Sequence, residues 1–127
     1  MYGVEKAKKR KSIMEFASAR QIKLKDALKA VPTKEGKPFA NLFNHGSLQV
    51  EIYVPKGPDL QKPHSRDELY IVASGTGWFV CQDRRMEFSP GDALFAAAGE
   101  LHRFEDFSDD FVVWVMFYGP EGGERGA

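Results

Sequence analysis

The sequence predicts an all-β domain, a barrel or sandwich of short strands preceded by one short helix, and three observations carry that prediction. From residue 39 onward, apolar segments of about five to eight residues, rich in β-branched and aromatic side chains, alternate with clusters of Gly, Pro, Asp and Ser. Turn-forming groups recur at the spacing of short strands: Asn44-His45-Gly46, Pro55-Lys56-Gly57-Pro58, Ser74-Gly75-Thr76-Gly77, Ser89-Pro90-Gly91-Asp92 and Ala98-Gly99-Glu100. Ahead of residue 39 the texture differs, helical in its apolar period and basic in charge.

In chain order, residues 1–17 are a basic extension, whose run Lys6-Ala7-Lys8-Lys9-Arg10-Lys11 repels itself and is expected to stay solvated. Residues 18–38 hold a short helix and a linker. Leu24, Leu28 and Val31 recur at i, i+4 and i+7, and Pro32 stops the pattern. The barrel itself occupies residues 39–118, with strands expected over 39–43, 47–54, 68–73, 77–82, 85–88, 93–96, 102–106 and 111–118. The last of these is apolar at every position from Phe111 to Tyr118, so it is expected to be buried on both faces, by the barrel interior and by a helix or another subunit. Residues 119–127, with four Gly and one Pro, form an irregular tail.

Composition excludes several classes of function. A chain of 127 residues is the size of one domain. No apolar run approaches the roughly 20 residues that cross a bilayer, and the basic N-terminus lacks a following apolar signal region, so a cytoplasmic protein is expected. The formal net charge of zero hides an asymmetry, because residues 1–31 carry nine Lys and Arg against three Asp and Glu, which leaves an acidic body. An acidic body lacks the basic stripe that neutralises phosphates, and no nucleic-acid partner is expected. The single cysteine, Cys81, excludes an intramolecular disulfide and a CxxC motif, and its apolar neighbours Trp78, Phe79 and Val80 mark it as a buried strand residue. No GxSxG elbow and no GxxxxGK[ST] loop is present.

The residues whose spacing suits metal chemistry are His64, Glu68 and His102. His64 and Glu68 stand four apart, which puts both on one face of an extended strand, and His102 follows a separate Gly turn. Three ligands from two rigid elements would leave coordination positions open. Taken alone, a strand histidine is more often a hydrogen-bonded structural residue.

The surrounding sequence resembles the cupin superfamily. Its first motif, approximately G-x5-HxH-x3,4-E-x6-G, is matched by the segment from Gly57 to Gly75, with the first spacer off by one residue, His64 at the second His and six residues between Glu68 and Gly75. Its second, approximately G-x5-P-x-G-x2-H-x3-N, is matched by Gly91, Gly99 and His102. A closer likeness is to small bacterial cupins carrying D-x-Q-x-P-H-x-x-D-E-x-Y, which stands here from Asp59 to Tyr70. The resemblance implies a single antiparallel double-stranded β-helix, or jelly-roll barrel, that holds one divalent transition metal (Fe, Mn, Ni or Zn), takes a small-molecule ligand or substrate, and forms a homodimer. By motif register the ligands are His64, Glu68 and His102.

Three positions depart from the motifs. Lys62 stands where the first motif has its first His, and a protonated amine is a poor ligand. Gln61 beside it is the candidate for a neutral oxygen ligand or for a hydrogen bond to one, with water as the alternative. Ala97 replaces the second motif's Pro, and Asp106 its terminal Asn. Strand parity from Glu68 turns Tyr70 and Val72 inward, and parity from His102 does the same for Phe104. Tyr70 is therefore the candidate catalytic group, able to donate to a substrate or oxygen species, with a locally satisfied barrel-filling aromatic as its bland reading. Glu51 and Tyr53 are further cavity candidates. His45 reads as a turn residue, and Arg103 with Glu105 as an outward surface pair.

These readings lead to a mononuclear metalloprotein, an oxygenase or isomerase acting on a small organic molecule. Two rivals stand beside it. One is a noncatalytic binding or sensor barrel with a structural metal, and the other a metal-free, epimerase-like barrel using His64 or His102 as base.

Overall fold

The computed structural model describes residues 20–59 and 61–125, so the basic extension expected over 1–17 lies outside the described residues. Helix α1 (Leu24–Ala27) runs into a 3-10 turn (Leu28–Ala30). Eight strands follow: β1 (Phe39–His45), β2 (Leu48–Tyr53), β3 (Asp67–Ser74), β4 (Gly77–Cys81), β5 (Arg84–Phe88), β6 (Ala93–Ala96), β7 (His102–Glu105) and β8 (Val112–Tyr118). They form two antiparallel sheets, a five-stranded one in the order β1-β2-β8-β3-β6 and a three-stranded one in the order β5-β4-β7. No helix among the described residues is long and apolar enough to cross a membrane.

Period-two alternation decides which side chains fill the space between the sheets. On β3, Tyr70 and Val72 are buried in the interior cluster, and Glu68 on the same face is buried beside them. The aromatic residues Phe79, Phe88, Phe104 and Phe111 complete that cluster. Each such burial is worth about 1.5–3 kcal/mol, so this cluster dominates the stability of the fold. The two-faced strand β8 serves both sides. Val113 and Val115 enter the interior, while Val112 and Trp114 pack outside with Ile52, Leu42 and the Ala27 and Leu28 side of the helical segment.

Two expected boundaries move. The helical segment is shorter and tighter than the i, i+4, i+7 pattern suggests, because Val31 is already extended ahead of Pro32, whose ring disfavours helical backbone in the residue before it. His45 is not a turn residue but the end of β1, paired with Leu48. Gly46 takes a φ of +58°, so two residues suffice to reverse the chain. The glycine that closes the first motif, Gly75, has a φ of +86°, and a Cβ there would lie 2.5 Å from the Phe111 Cα. A side chain would be excluded twice, by strain and by space.

Candidate metal centre

The loop from β2 to β3 carries His64, β3 carries Glu68, and His102 opens β7. Hydrogen bonds from the loop before β7 lock these elements together. Gly99 N–H donates to the His64 carbonyl at 2.8 Å, and Ala98 N–H to Asp67 Oδ1 at 2.9 Å. The three candidate ligands therefore converge: His102 Nε2 lies 3.0 Å and His64 Nε2 3.8 Å from Glu68 Oε1, and one donor atom from each residue falls within 4.8 Å of the others. Glu68 and His102 are buried, whereas His64 is half-buried.

The electrostatics of this group are unusual. His102 Nδ1 is 2.9 Å from the Glu100 carbonyl, an acceptor, so Nδ1 carries the hydrogen and a neutral ring leaves Nε2 with a free lone pair. Both Nε2 and Glu68 Oε1 are shielded from solvent and have no hydrogen-bond partner among the described residues despite their short separation. Two buried acceptors this close, and not aligned for a hydrogen bond with each other, call for a cation that both can reach. A proton is one such cation. Burial lowers the His102 pKa, but Glu68, the Glu100 carbonyl and Asp59 outweigh it and leave it raised. A divalent ion is the other, and the donor set favours it: two imidazoles and a carboxylate are transition-metal ligands, and His64 adds a third donor that a shared proton does not need. The residues fit such a metal.

Gln61 and Tyr70 sit behind this cluster. The Gln61 amide donates from Nε2 to Asp59 Oδ2 at 2.8 Å, which fixes its orientation and turns Oε1 toward the site. That oxygen accepts from the Tyr70 hydroxyl at 3.2 Å and lies 3.4 Å from His64 Nε2. Tyr70 is fully buried, and burial with the nearby Glu68 holds its pKa well above the ordinary phenol value, so it acts as a donor. Lys62, at the missing His position, is exposed.

Asp59 is the residue that sequence reasoning missed. Its buried carboxylate accepts from Tyr53 Oη (2.7 Å), from the Gln61 amide and from Phe104 N–H (2.8 Å), so one side chain ties the loop, β2 and β7 together. It stands first in the string that runs to Tyr70, and an acidic residue two before a Gln was the available clue. Over the cluster opens a cavity of about 380 Å3, walled by Phe39, Glu51, Tyr53, Gln61, His64, Glu68, Val115 and Phe117 among others. Glu51 and Tyr53 thus line the cavity. Burial raises the Glu51 pKa, with Gln49 opposing the shift and Glu68 reinforcing it. Arg103 and Glu105 form the expected surface pair, which Arg85 joins.

An antiparallel two-sheet barrel with a His-His-Glu cluster at one end defines the cupin class of protein. The chain belongs to the cupin family: the model of the cupin domain matches residues 49–118. An uncharacterized protein of Streptomyces coelicolor is 29% identical over 98 residues, which cover 76% of this chain and 93% of that one. Among solved structures, the TT1209 protein of Thermus thermophilus superposes with a TM-score of 0.62 at 21% identity, covering 80% of this chain and all of the other. A cupin superfamily protein of Desulfitobacterium hafniense gives 0.59 at 16% identity, with 79% and 93% covered. Solved structures described as DMSP lyases and as a predicted oxalate decarboxylase of Thermotoga maritima share the fold at TM-scores of 0.53 and 0.51, with 23% and 21% identity.

Proposed function

We propose that this cupin is a mononuclear metalloenzyme of oxygenase or isomerase type that acts on a small organic molecule in the cavity beside Glu51 and His64. The observation that carries this reading is the shielded pair Glu68 Oε1 and His102 Nε2, 3.0 Å apart yet without an aligned hydrogen bond, with a third donor on His64. His64, Glu68 and His102 are the proposed ligands, and Gln61 Oε1 is the proposed oxygen donor on the side where the motif's first His is missing. Iron, manganese, nickel and zinc all suit such a set. The ion, when bound, supplies Lewis acidity toward a substrate oxygen.

The chain's own residues position and exclude. Asp59 holds the Gln61 amide with its oxygen toward the ligands, and Tyr70 donates to that oxygen from behind. Tyr70 is in this reading a positioning residue, because its hydroxyl lies against Gln61 and Glu68 and is not itself part of the cavity wall. Glu51 is the carboxyl of the cavity wall that lies outside the proposed ligand set, and it is suited to exchange a proton with a bound molecule, since burial moves it toward neutrality. Val115 and Phe117, cross-strand neighbours of Glu51 and Glu68 in the same sheet, make the adjoining wall apolar. Fold neighbours described as lyases and a decarboxylase are in keeping with an enzyme.

Metal analysis of protein purified without chelators tests the reading. About one equivalent of metal per chain is expected, falling at least about tenfold in His102→Ala. A substoichiometric content that His102→Ala leaves unchanged would sink it.

A further inference from the structure

The cavity over the cluster has a neighbour. A second space of about 300 Å3 shares Phe39, Glu51, His64 and Phe117 with the first and adds Gln49, Ser65 and Arg66 to the wall. Each space has room for on the order of ten waters at ~30 Å3 apiece, so a small molecule reaching across both is accommodated.

Arg66 is a half-buried cation without a counter-charge. Its guanidinium donates to the Ser47 carbonyl at 2.6 Å, and to the Gly119 carbonyl and Gln49 Oε1 at 3.4 Å each, all neutral oxygens. Among the described residues no carboxylate forms an ion pair with it, whereas Arg85 and Arg103 share Glu105. Those acceptors hold the planar fork in place without neutralising it, and five N–H donors are more than they use. The nearby acid is kept apart from it. Glu51 accepts at Oε2 from Gln49 Nε2 at 2.6 Å, and Gln49 turns its oxygen to Arg66, so an amide stands between cation and acid. Burial, which favours the neutral form of Glu51, weakens its repulsion of an incoming anion. Lys56, in the wall of the first space, is exposed, and its ammonium offers a point charge where Arg66 offers a fork.

We infer that Arg66 anchors a substrate carboxylate, and that the site takes a small organic acid with a metal-binding oxygen at the His64, Glu68 and His102 cluster and its carboxylate at Arg66. The inference rests on the metal reading above. The expected contact is a paired, charge-assisted one, stronger than a neutral hydrogen bond.

The test uses the full chain loaded with Co2+, whose visible spectrum reports binding, and two probes with the same hydroxamate head. Succinic acid monohydroxamate ends in a carboxylate, and its amide analogue ends in a neutral carboxamide. The carboxylate-ended probe is expected to bind at least about 10-fold more tightly, with the preference falling below about 3-fold in Arg66→Gln and partly kept in Arg66→Lys. Equal binding of the two probes by the unmodified protein overturns the inference, as does a preference that Arg66→Gln leaves intact. The two readings fail differently. A chain that takes up no Co2+ loses the metal reading and this inference with it, whereas one equivalent of Co2+ without a tail preference removes the inference alone.

Discussion

The interior of the barrel has a filled half and an open half, built from the same strands. In the filled half Phe104 lies against Phe111, Tyr70 and Phe88 with ring centroids 4.9, 5.0 and 5.8 Å apart, mostly edge to face. In the open half, His64, Glu68, Gln61 and Glu51 surround a cavity. Going back along β3 from Val72 through Tyr70 to Glu68 passes from one to the other at about 3.3 Å per residue, with no change of element. The difference teaches that stability and chemistry are separated by position along shared strands. The cost of burying Glu68 and His102 without hydrogen bonds between them falls on a frame the aromatic cluster already holds.

The sharpest way to break the comparison is to damage one half and read the other. Phe104→Ala removes a ring that is 2% exposed and packed among Tyr70, Phe79, Phe88 and Phe111, and is expected to cost about 3–5 kcal/mol in denaturant unfolding, the largest effect here. Metal content of the protein that remains folded is expected to stay within about twofold of the parent, since Phe104 is not a ligand. Loss of metal from the folded variant would show that the halves are not separable.

Asp59 is where the halves meet, so its removal is expected to touch both. Asp59→Ala leaves the buried Phe104 N–H without its 2.8 Å acceptor and frees Tyr53 and Gln61. A loss of about 1–3 kcal/mol in stability follows from the orphaned donor, and a roughly tenfold weaker metal affinity from the released Gln61. A variant that lost stability but bound metal as tightly as the parent would remove Gln61 from the site.

The filled half was the more legible of the two. Parity along β3 and β7 anticipates the burial of Tyr70, Val72 and Phe104, because period-two alternation is a local property of the chain. The doubly apolar β8 likewise announces two buried faces, which the interior and the helical segment supply. Boundaries were less legible: a Gly in the left-handed region lets a hairpin close in two residues, so His45 pairs where its neighbours suggest a turn. In the open half, motif spacing brings out His64, Glu68 and His102, which the fold gathers. Asp59 and Arg66 stayed hidden because their partners are distant in sequence: Phe104 N–H lies 45 residues from Asp59 and the Gly119 carbonyl 53 from Arg66. No local period records such contacts.

Cys81 gives the smallest expected effect and sharpens the boundary from the side of the filled half. Its Cα pairs across the sheet with that of His102, so both side chains enter the interior face, and its Sγ donates to Glu100 Oε1 at 3.6 Å, an oxygen that also accepts from Ala97 N–H. Burial, followed by the Glu100 carboxylate, pushes the thiol up to about 11, with Arg84 opposing weakly. The thiol is therefore protonated at neutral pH and a poor nucleophile, and labelling by a disulfide reagent at pH 8 is expected to be slower than that of the unfolded chain. The sign of the stability effect follows from the same shift. The folded value lies above the unfolded value of 9.0, so the folded state keeps its proton longer, and this contribution is full below pH 9 and lost as pH rises through about 11. The unfolding free energy of the parent should thus fall more steeply over that window than that of Cys81→Ala. Parallel curves, with labelling as fast as in the unfolded chain, would place the thiol in solvent and move the edge of the filled half inward from β4.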